Sequence, residues 1–293
     1  MNKVLVTGAS GFIGRALASG LQVRGWEVVP VGSAAGDIAR PETLTAFAQQ
    51  DIAHVFHLAG KTFVPDSWDD PHAFCRTNIL GMLNVLEYCR KGHIPVTYVS
   101  AYVYGHPDSL PVGEENVVRP SNPYALSKRL AEEICEFYSS THGLPVTTIR
   151  PFNVYGIGQT ESFLIPSIIA QVLGNREEIV VKDLAPKRDY VYLEDMVTAL
   201  LATLGRAEGY RVYNIGSGVS LSVREVINVI QDIANTRKKI VSDNVARNNE
   251  LMDVVADISK ARAELGWNPA FSFRAGIEDI IRFNRKRNCN DPA

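Results

Sequence analysis

The chain has 293 residues, 46% of them hydrophobic, which is enough for a large core in one big domain or two smaller ones. Its formal charge of -2 gives no basic field and argues against nucleic acid as a partner. Cys75, Cys89, Cys135 and Cys289 are scattered, with no Cys-x-x-Cys pair or histidine cluster near them, which argues against disulfides and against a metal site. A strand begins at once, with no basic region and apolar stretch ahead of it, and no apolar run approaches the ~20 residues of a membrane span. A cytoplasmic protein without a membrane partner is expected.

The first half alternates apolar strands with helical patterns. Residues 3–7 form a strand, and residues 12–24 a helix with Ile13, Leu17 and Leu21 on one face. A second strand is predicted over 27–31, a helix from Pro41, a buried strand over 54–58, a long helix over about 71–91 and a strand over 96–100. Asn122-Pro123 pairs an N-cap residue with proline at the first helical position. Leu126, Leu130, Ile134 and Phe137 give that helix an apolar stripe, Gly143 ends it, and residues 146–150 resume the sheet. Such alternation predicts parallel strands joined by helical crossovers.

After Pro151 the alternation breaks down, punctuated by Gly156, Gly158, Pro166, Gly174 and Pro186. Residues 189–193 lead into a helix over 194–204, and 211–215 read as a strand, so a return to the main sheet is expected around 189–216. The expected fold is α/β: a Rossmann-type doubly wound parallel sheet over 1–155, and a smaller, irregular C-terminal substrate-binding domain over 156–293. No repeat is visible, and 288–293 look loose.

Chemistry enters at the glycines. Gly8, Gly11 and Gly14 follow a strand and open a helix, so backbone amides can approach a pyrophosphate at the helix N-terminus. Ser10, Phe12 and Ile13 complete that loop. The spacing is Gly-x-x-Gly-x-x-Gly, not the usual Gly-x-Gly-x-x-Gly. NAD-specific folds place an acid at the end of the second strand for the ribose 2′-hydroxyl. Here Val31-Gly-Ser-Ala-Ala-Gly36 has none before Asp37, and Arg40 is the nearest arginine, so NADP and NAD both stay open. Asp37 and Ile38 are expected beside the adenine.

Tyr124 and Lys128 stand four apart, hence on one helix face. A phenol with a pKa near ~10 needs a nearby positive charge before it exchanges protons at neutral pH, and Lys128 is expected to supply it. Ser100 ends an apolar strand, where its hydroxyl can donate to a substrate carbonyl or alternatively bond its own backbone. Tyr102 and Tyr104 are rival phenols, but neither has a lysine four residues on.

These segments resemble the extended short-chain dehydrogenase/reductase family, which contains nucleotide-sugar epimerases, dehydratases and 4-ketoreductases. The resemblance runs along nearly the whole chain. It rests on Thr7-Gly-Ala-Ser-Gly-Phe-Ile-Gly14, His57-Leu-Ala-Gly60, Asn78-Ile-Leu-Gly81, the Ser100–Gly105 segment, Tyr124-Ala-Leu-Ser-Lys128 and Arg150-Pro-Phe-Asn-Val-Tyr-Gly156. Arg188-Asp-Tyr-Val-Tyr192, Asn214-Ile-Gly-Ser-Gly218 and Ala256-Asp-Ile-Ser-Lys260 continue it.

Membership implies Tyr124 as catalytic acid/base, Lys128 on the nicotinamide ribose and Ser100 orienting the reacting oxygen. It implies Leu58, Ala59, Gly60 and Pro151 along the cofactor, and Asn153, Arg188 and Arg247 on the nucleotide and its phosphates. The Asn-Asn-Glu after Arg247 departs from the family's usual Pro-Gly-Asp. A nucleotide-diphosphate sugar is the implied partner, and a homodimer through helices near 74–91 and 124–141 the implied assembly. Residues 57–65 and 161–163 look most like those of GDP-4-keto-6-deoxymannose reductases. Dehydratases of the family carry an acidic pair where this chain has Ala101-Tyr102, so dehydration is set aside. Reduction of a 4-keto-6-deoxyhexose is the expected reaction. A C4 epimerase using the same three residues is the nearest alternative, and a non-catalytic NAD(P)-binding sensor a more distant one.

Overall fold

A computed structural model describes residues 2–206, 208–243 and 250–290, with side chains as far as residue 286. The chain begins with β1 (Lys3–Thr7), α1 (Phe12–Val23), β2 (Glu27–Val31), the short α2 (Glu42–Thr45) and β3 (Ile52–His57). Next come α3 (Val64–Asp69) and α4 (Pro71–Cys75), and a π-helical turn over Arg76–Leu80 joins α4 to α5 (Gly81–Gly92). Then follow β4 (Val96–Val99), α6 (Pro123–His142), β5 (Val146–Pro151), β6 (Asn153–Tyr155), α7 (Leu164–Leu173), β7 (Glu178–Val181) and β8 (Lys187–Tyr192). The last elements are α8 (Leu193–Ala202), β9 (Tyr210–Ile215), β10 (Ser220–Ser222), α9 (Val223–Ala234), β11 (Lys239–Ser242) and α10 (Phe273–Asn290).

Six parallel strands form the main sheet in the order β2-β1-β3-β4-β5-β9. Side chains alternate across a strand, and both faces are covered, which is why these strands are apolar at nearly every position. Val4 and Val6 meet Leu17 and Leu21 of α1 and Met196 and Leu200 of α8. On the other face Leu5 meets Met82, Val85 and Leu86 of α5 and Ala131 and Cys135 of α6. This is a doubly wound α/β sheet. From β1 the strand order runs one way to β2 and the other way to β3, so a crevice opens between the ends of β1 and β3, where such sheets bind ligands. A separate apolar cluster joins α7, α9 and α10 to β6, β7 and β8.

Several elements differ from expectation. Strand β8, which takes in residues 189–192 of the predicted 189–193 segment, does not enter the main sheet; it pairs with β6 and β10 in a three-stranded sheet. The chain rejoins the main sheet only at β9, beside β5. The helix from Pro41 is a single turn, while α3 carries no strong periodic signal and was not anticipated. In α6 the apolar stripe faces outward: Leu126 and Phe137 are exposed, and Leu130 and Ile134 are half-buried. Ala125, Lys128, Ala131, Glu132 and Cys135 face the sheet instead. Small residues let the helix approach closely, and two charged residues, Lys128 and Glu132, are buried on that face.

Candidate active site

The turn from β1 to α1 is shaped by what its glycines cannot carry. Gly8 has φ +70°, and a Cβ there would lie 2.7 Å from the Ala59 nitrogen. A Cβ on Gly14 would lie 2.1 Å from the Gly8 carbonyl oxygen. Gly8 N–H donates to Val31 O (2.8 Å) and Gly11 N–H to Gly8 O (2.9 Å), which folds the loop tightly. Among the described residues no side chain caps the α1 N-terminus, so its first amides, around Phe12 and Ile13, suit an anion. Opposite stands the end of β3: Ala59 N–H donates to Thr7 Oγ1, which also bonds His57 Nδ1 at 2.7 Å. Leu58, Ala59 and Gly60 thus line the crevice beside the glycine loop.

At the end of β2, Gly32 and the 33–35 turn carry no acid. Asp37 is already engaged by Arg76 at 3.1 Å and by the Ala39 amide, and Ile38 is buried against Gly81. Together the glycine cradle, the open end of β2 and the Asp37–Ile38 turn fit a dinucleotide along the β1–β3 crevice.

Ser100 follows β4. Its amide donates to Ile149 O (2.8 Å), but its hydroxyl is buried and has no hydrogen-bond partner among the described residues. The alternative of a serine satisfying its own backbone is therefore not what the structure shows. A buried hydroxyl without a partner costs ~1–3 kcal/mol, a cost expected where a ligand is to be met.

Tyr124 lies in the first turn of α6, which Asn122 caps by accepting from the Ala125 amide (2.8 Å). Its ring meets Phe74 edge-on at 6.2 Å. Lys128, one turn on, is buried, donates to Val99 O at 2.8 Å and stands 4.9 Å over the Tyr98 ring. Burial brings its ammonium down to about 8, with Glu132 acting the other way. At Tyr124 burial dominates and pushes the phenol above its ordinary value, so the expected lowering by Lys128 is not a property of the protein alone.

On the substrate side, Asn153 Nδ2 donates to Asp189 O (3.0 Å), and Pro151 is buried at the end of β5. Arg188 donates to Leu251 O and pairs with Glu250. Arg247 lies outside the described residues. Asp189 holds this region together by accepting from the Ser217, Gly218 and Ala256 amides.

Asn78, the first residue of Asn78-Ile-Leu-Gly81, is a further residue at the site, to which the sequence alone assigns no role. It is buried, its Oδ1 accepts from Lys61 N–H (2.9 Å), and its Nδ2 donates to Ser127 Oγ (2.8 Å). It fixes the Gly60–Lys61 loop to α6. A polar residue inside an apolar helical run was the available signal.

The model of the NAD dependent epimerase/dehydratase family matches residues 4–216. GDP-6-deoxy-D-mannose reductase of Pseudomonas aeruginosa is 32% identical over 292 residues, 95% of this chain and 96% of that protein. The structure of RMD from Pseudomonas aeruginosa complexed with NADPH superposes with a TM-score of 0.91 at 32% identity, covering 98% of this chain and 100% of that one. UDP-glucose 4-epimerase from Thermotoga maritima, with UDP-glucose, gives a TM-score of 0.88 at 26% identity, covering 97% and 99%.

Proposed function

Because the chain belongs to the NAD dependent epimerase/dehydratase family, we propose that it reduces the C4 ketone of a nucleotide-linked 4-keto-6-deoxyhexose with NAD(P)H. It is an NAD(P)-dependent enzyme acting on nucleotide sugars. The observation that carries the reductive chemistry is the partnerless Ser100 hydroxyl, buried at the end of β4 whose Val99 carbonyl holds Lys128.

The reduced nicotinamide supplies the hydride when bound. The glycine loop of residues 8–14 holds the pyrophosphate, Asp37 and Ile38 lie by the adenine, and Lys128 holds the nicotinamide ribose. Reduction makes an alkoxide, which calls for donors. Burial keeps the Tyr124 phenol protonated at neutral pH, the form a general acid must have. Tyr124 O–H gives its proton to the C4 oxygen, Ser100 Oγ–H donates to the same oxygen, and the Lys128 ammonium stabilises the phenolate left behind. Asn153 contacts the nucleotide diphosphate through its carboxamide, and Arg188 and Arg247 grip the nucleotide and its phosphates, as planar guanidinium groups suit.

The test is loss of reduced-nicotinamide absorbance with NADPH and with NADH against GDP-, TDP- and CDP-4-keto-6-deoxyhexoses. Stoichiometric consumption with one sugar is expected. The likeness to UDP-glucose 4-epimerase favours a second reading, C4 epimerisation. Cofactor retained through purification, with no net consumption, would select it.

The protein works as a homodimer through the outward stripe of α6. Leu126 and Phe137 there, with Leu80 of the π-helical turn, are exposed large apolar side chains. Light scattering is expected to give a dimer for the parent chain and a monomer for Phe137→Glu. A monomeric parent would remove this assignment.

A further inference from the structure

Two buried charges lie on the sheet-facing side of α6 beyond the pair already given a role. Glu132 is one turn past Lys128, as Lys128 is one turn past Tyr124, and it is fully buried. Arg150, at the end of β5, is 3% exposed and grips both carboxylate oxygens: Nε to Oε1 at 3.0 Å and Nη2 to Oε2 at 2.7 Å. The remaining nitrogen, Nη1, donates to Tyr104 O–H at 2.9 Å, and Tyr104 donates to Asn214 Oδ1 on β9 at 2.7 Å. Tyr104 is four residues past Ser100, whose own amide is tied to Ile149 on β5. One network therefore joins the helix that carries Tyr124 and Lys128 to the segment that carries Ser100.

A buried ion pair of this kind gives little net stability compared with apolar packing, so its presence asks for another reason. The surroundings of Lys128 suggest one. Among the described residues, the titratable groups set against it are His57 from β3, Tyr98 from β4, and Glu132 and Cys135 from its own helix, with Tyr124 one turn back on that helix. Burial holds His57 at about 3, so it is neutral, and it pushes the Tyr98, Tyr124 and Cys135 groups up, so these keep their protons. Glu132 is the ion-paired carboxylate among them, gripped by Arg150 and 3.4 Å from Arg129 Nη1.

We propose that Glu132, held by Arg150, is a positioning residue for the proton transfer at Tyr124 and acts through Lys128. Without its carboxylate, Lys128 loses the charge that opposes its desolvation and sheds its proton at lower pH. Neutral Lys128 then neither holds the ribose as an ammonium nor stabilises the phenolate. The inference rests on the oxidoreductase reading of Tyr124 and Lys128, and its test is arranged so that the two can fail separately.

NADPH affinity, followed by nucleotide fluorescence from about pH 6 to pH 10, needs no sugar substrate. In the parent protein affinity weakens as Lys128 loses its proton. In Glu132→Gln that alkaline limb moves down by about one pH unit, the equivalent of a tenfold change in proton affinity. With a sugar substrate, kcat at pH 8 falls about fivefold, with KM changed less than about threefold, since the loss falls on the transition state. Glu132→Asp keeps a carboxylate and lies between. A folded Glu132→Gln whose limb stays at the parental pH overturns the inference, even if kcat drops, because a purely structural brace would lower activity without moving the limb. Should Glu132→Gln not fold, Glu132→Asp carries the test: a limb displaced downward supports the inference and an unmoved one overturns it. If the parent binds NADPH with this limb yet consumes none with any 4-keto sugar, the ketoreductase reading fails while the inference stands.

Discussion

In the proposed reduction Ser100 and Tyr124 both donate to the C4 oxygen, yet the protein prepares them differently. The Tyr124 phenol is kept protonated by burial. The Ser100 hydroxyl is held without a partner at some expense to the fold. Their variants should therefore separate. Tyr124→Phe removes the proton that reduction requires, and kcat should fall ~10²–10⁴-fold while NADPH titrates as before; unimpaired turnover would remove Tyr124 from the mechanism. Ser100→Ala removes a preorganised donor and should cost ~10²–10³ in kcat. The same change deletes a buried unsatisfied group, so stability should rise by about 1 kcal/mol, or a few degrees in Tm. Slower turnover with a lower Tm would mean that the hydroxyl is satisfied within the fold after all.

At the scale of elements, the β1–α1 turn has the least freedom. In Gly14→Ala the new methyl would lie 2.1 Å from the Gly8 oxygen and 2.9 Å from the Ala9 Cα, both backbone atoms that cannot rotate away. The turn must open, so NADPH affinity should drop at least tenfold and the urea midpoint should fall, in line with the ~1–3 kcal/mol of an overpacked site. Unchanged NADPH affinity would place the pyrophosphate elsewhere. This turn and strands β1 to β5 were legible in the sequence because local signals set them: glycines between a strand and a helix, and apolar runs buried on both faces. The orientation of α6 was not. Periodicity assigns the apolar side to the core, but here Lys128 and Glu132 go inward and Leu126 and Phe137 outward. Site chemistry overrides the pattern. The placement of β8 was hidden for another reason: its alternation shows a strand, but its partners, Asn153–Tyr155 and Ser220–Ser222, are set by contacts distant in sequence. The Glu132–Arg150–Tyr104 network was likewise beyond reach, since its members are 18 and 46 residues apart.

For the whole molecule, the buried histidines of β3 make stability depend on pH. His54 Nε2 bonds Thr97 Oγ1 at 2.9 Å, which in turn bonds Thr203 Oγ1 at 2.7 Å, and His57 bonds Thr7. Burial lowers both imidazoles to about 3, with the Lys128 charge adding to the effect at His57. Unfolded, each takes a proton near its ordinary ~6.5. Between those values the unfolded chain binds more protons than the folded one, so stability rises with pH through this window. The contribution is complete above pH ~6.5 and is lost progressively as pH falls toward 3. At pH 5 each histidine should already cost about 2 kcal/mol, from ~1.4 kcal/mol per pKa unit, so the pair should cost about 4 kcal/mol. Asp189, whose carboxyl burial raises despite its hydrogen bonds, acts with the opposite sign: stability is lost as pH rises past the ordinary carboxylate value. Urea unfolding at pH 8 and pH 5 gives the difference, and comparison with His54→Gln, which cannot be protonated, isolates one histidine: the variant should lose about 2 kcal/mol less than the parent at pH 5. Equal stability at the two pH values would mean that these imidazoles accept protons inside the fold, which a sheet covered on both faces should not allow.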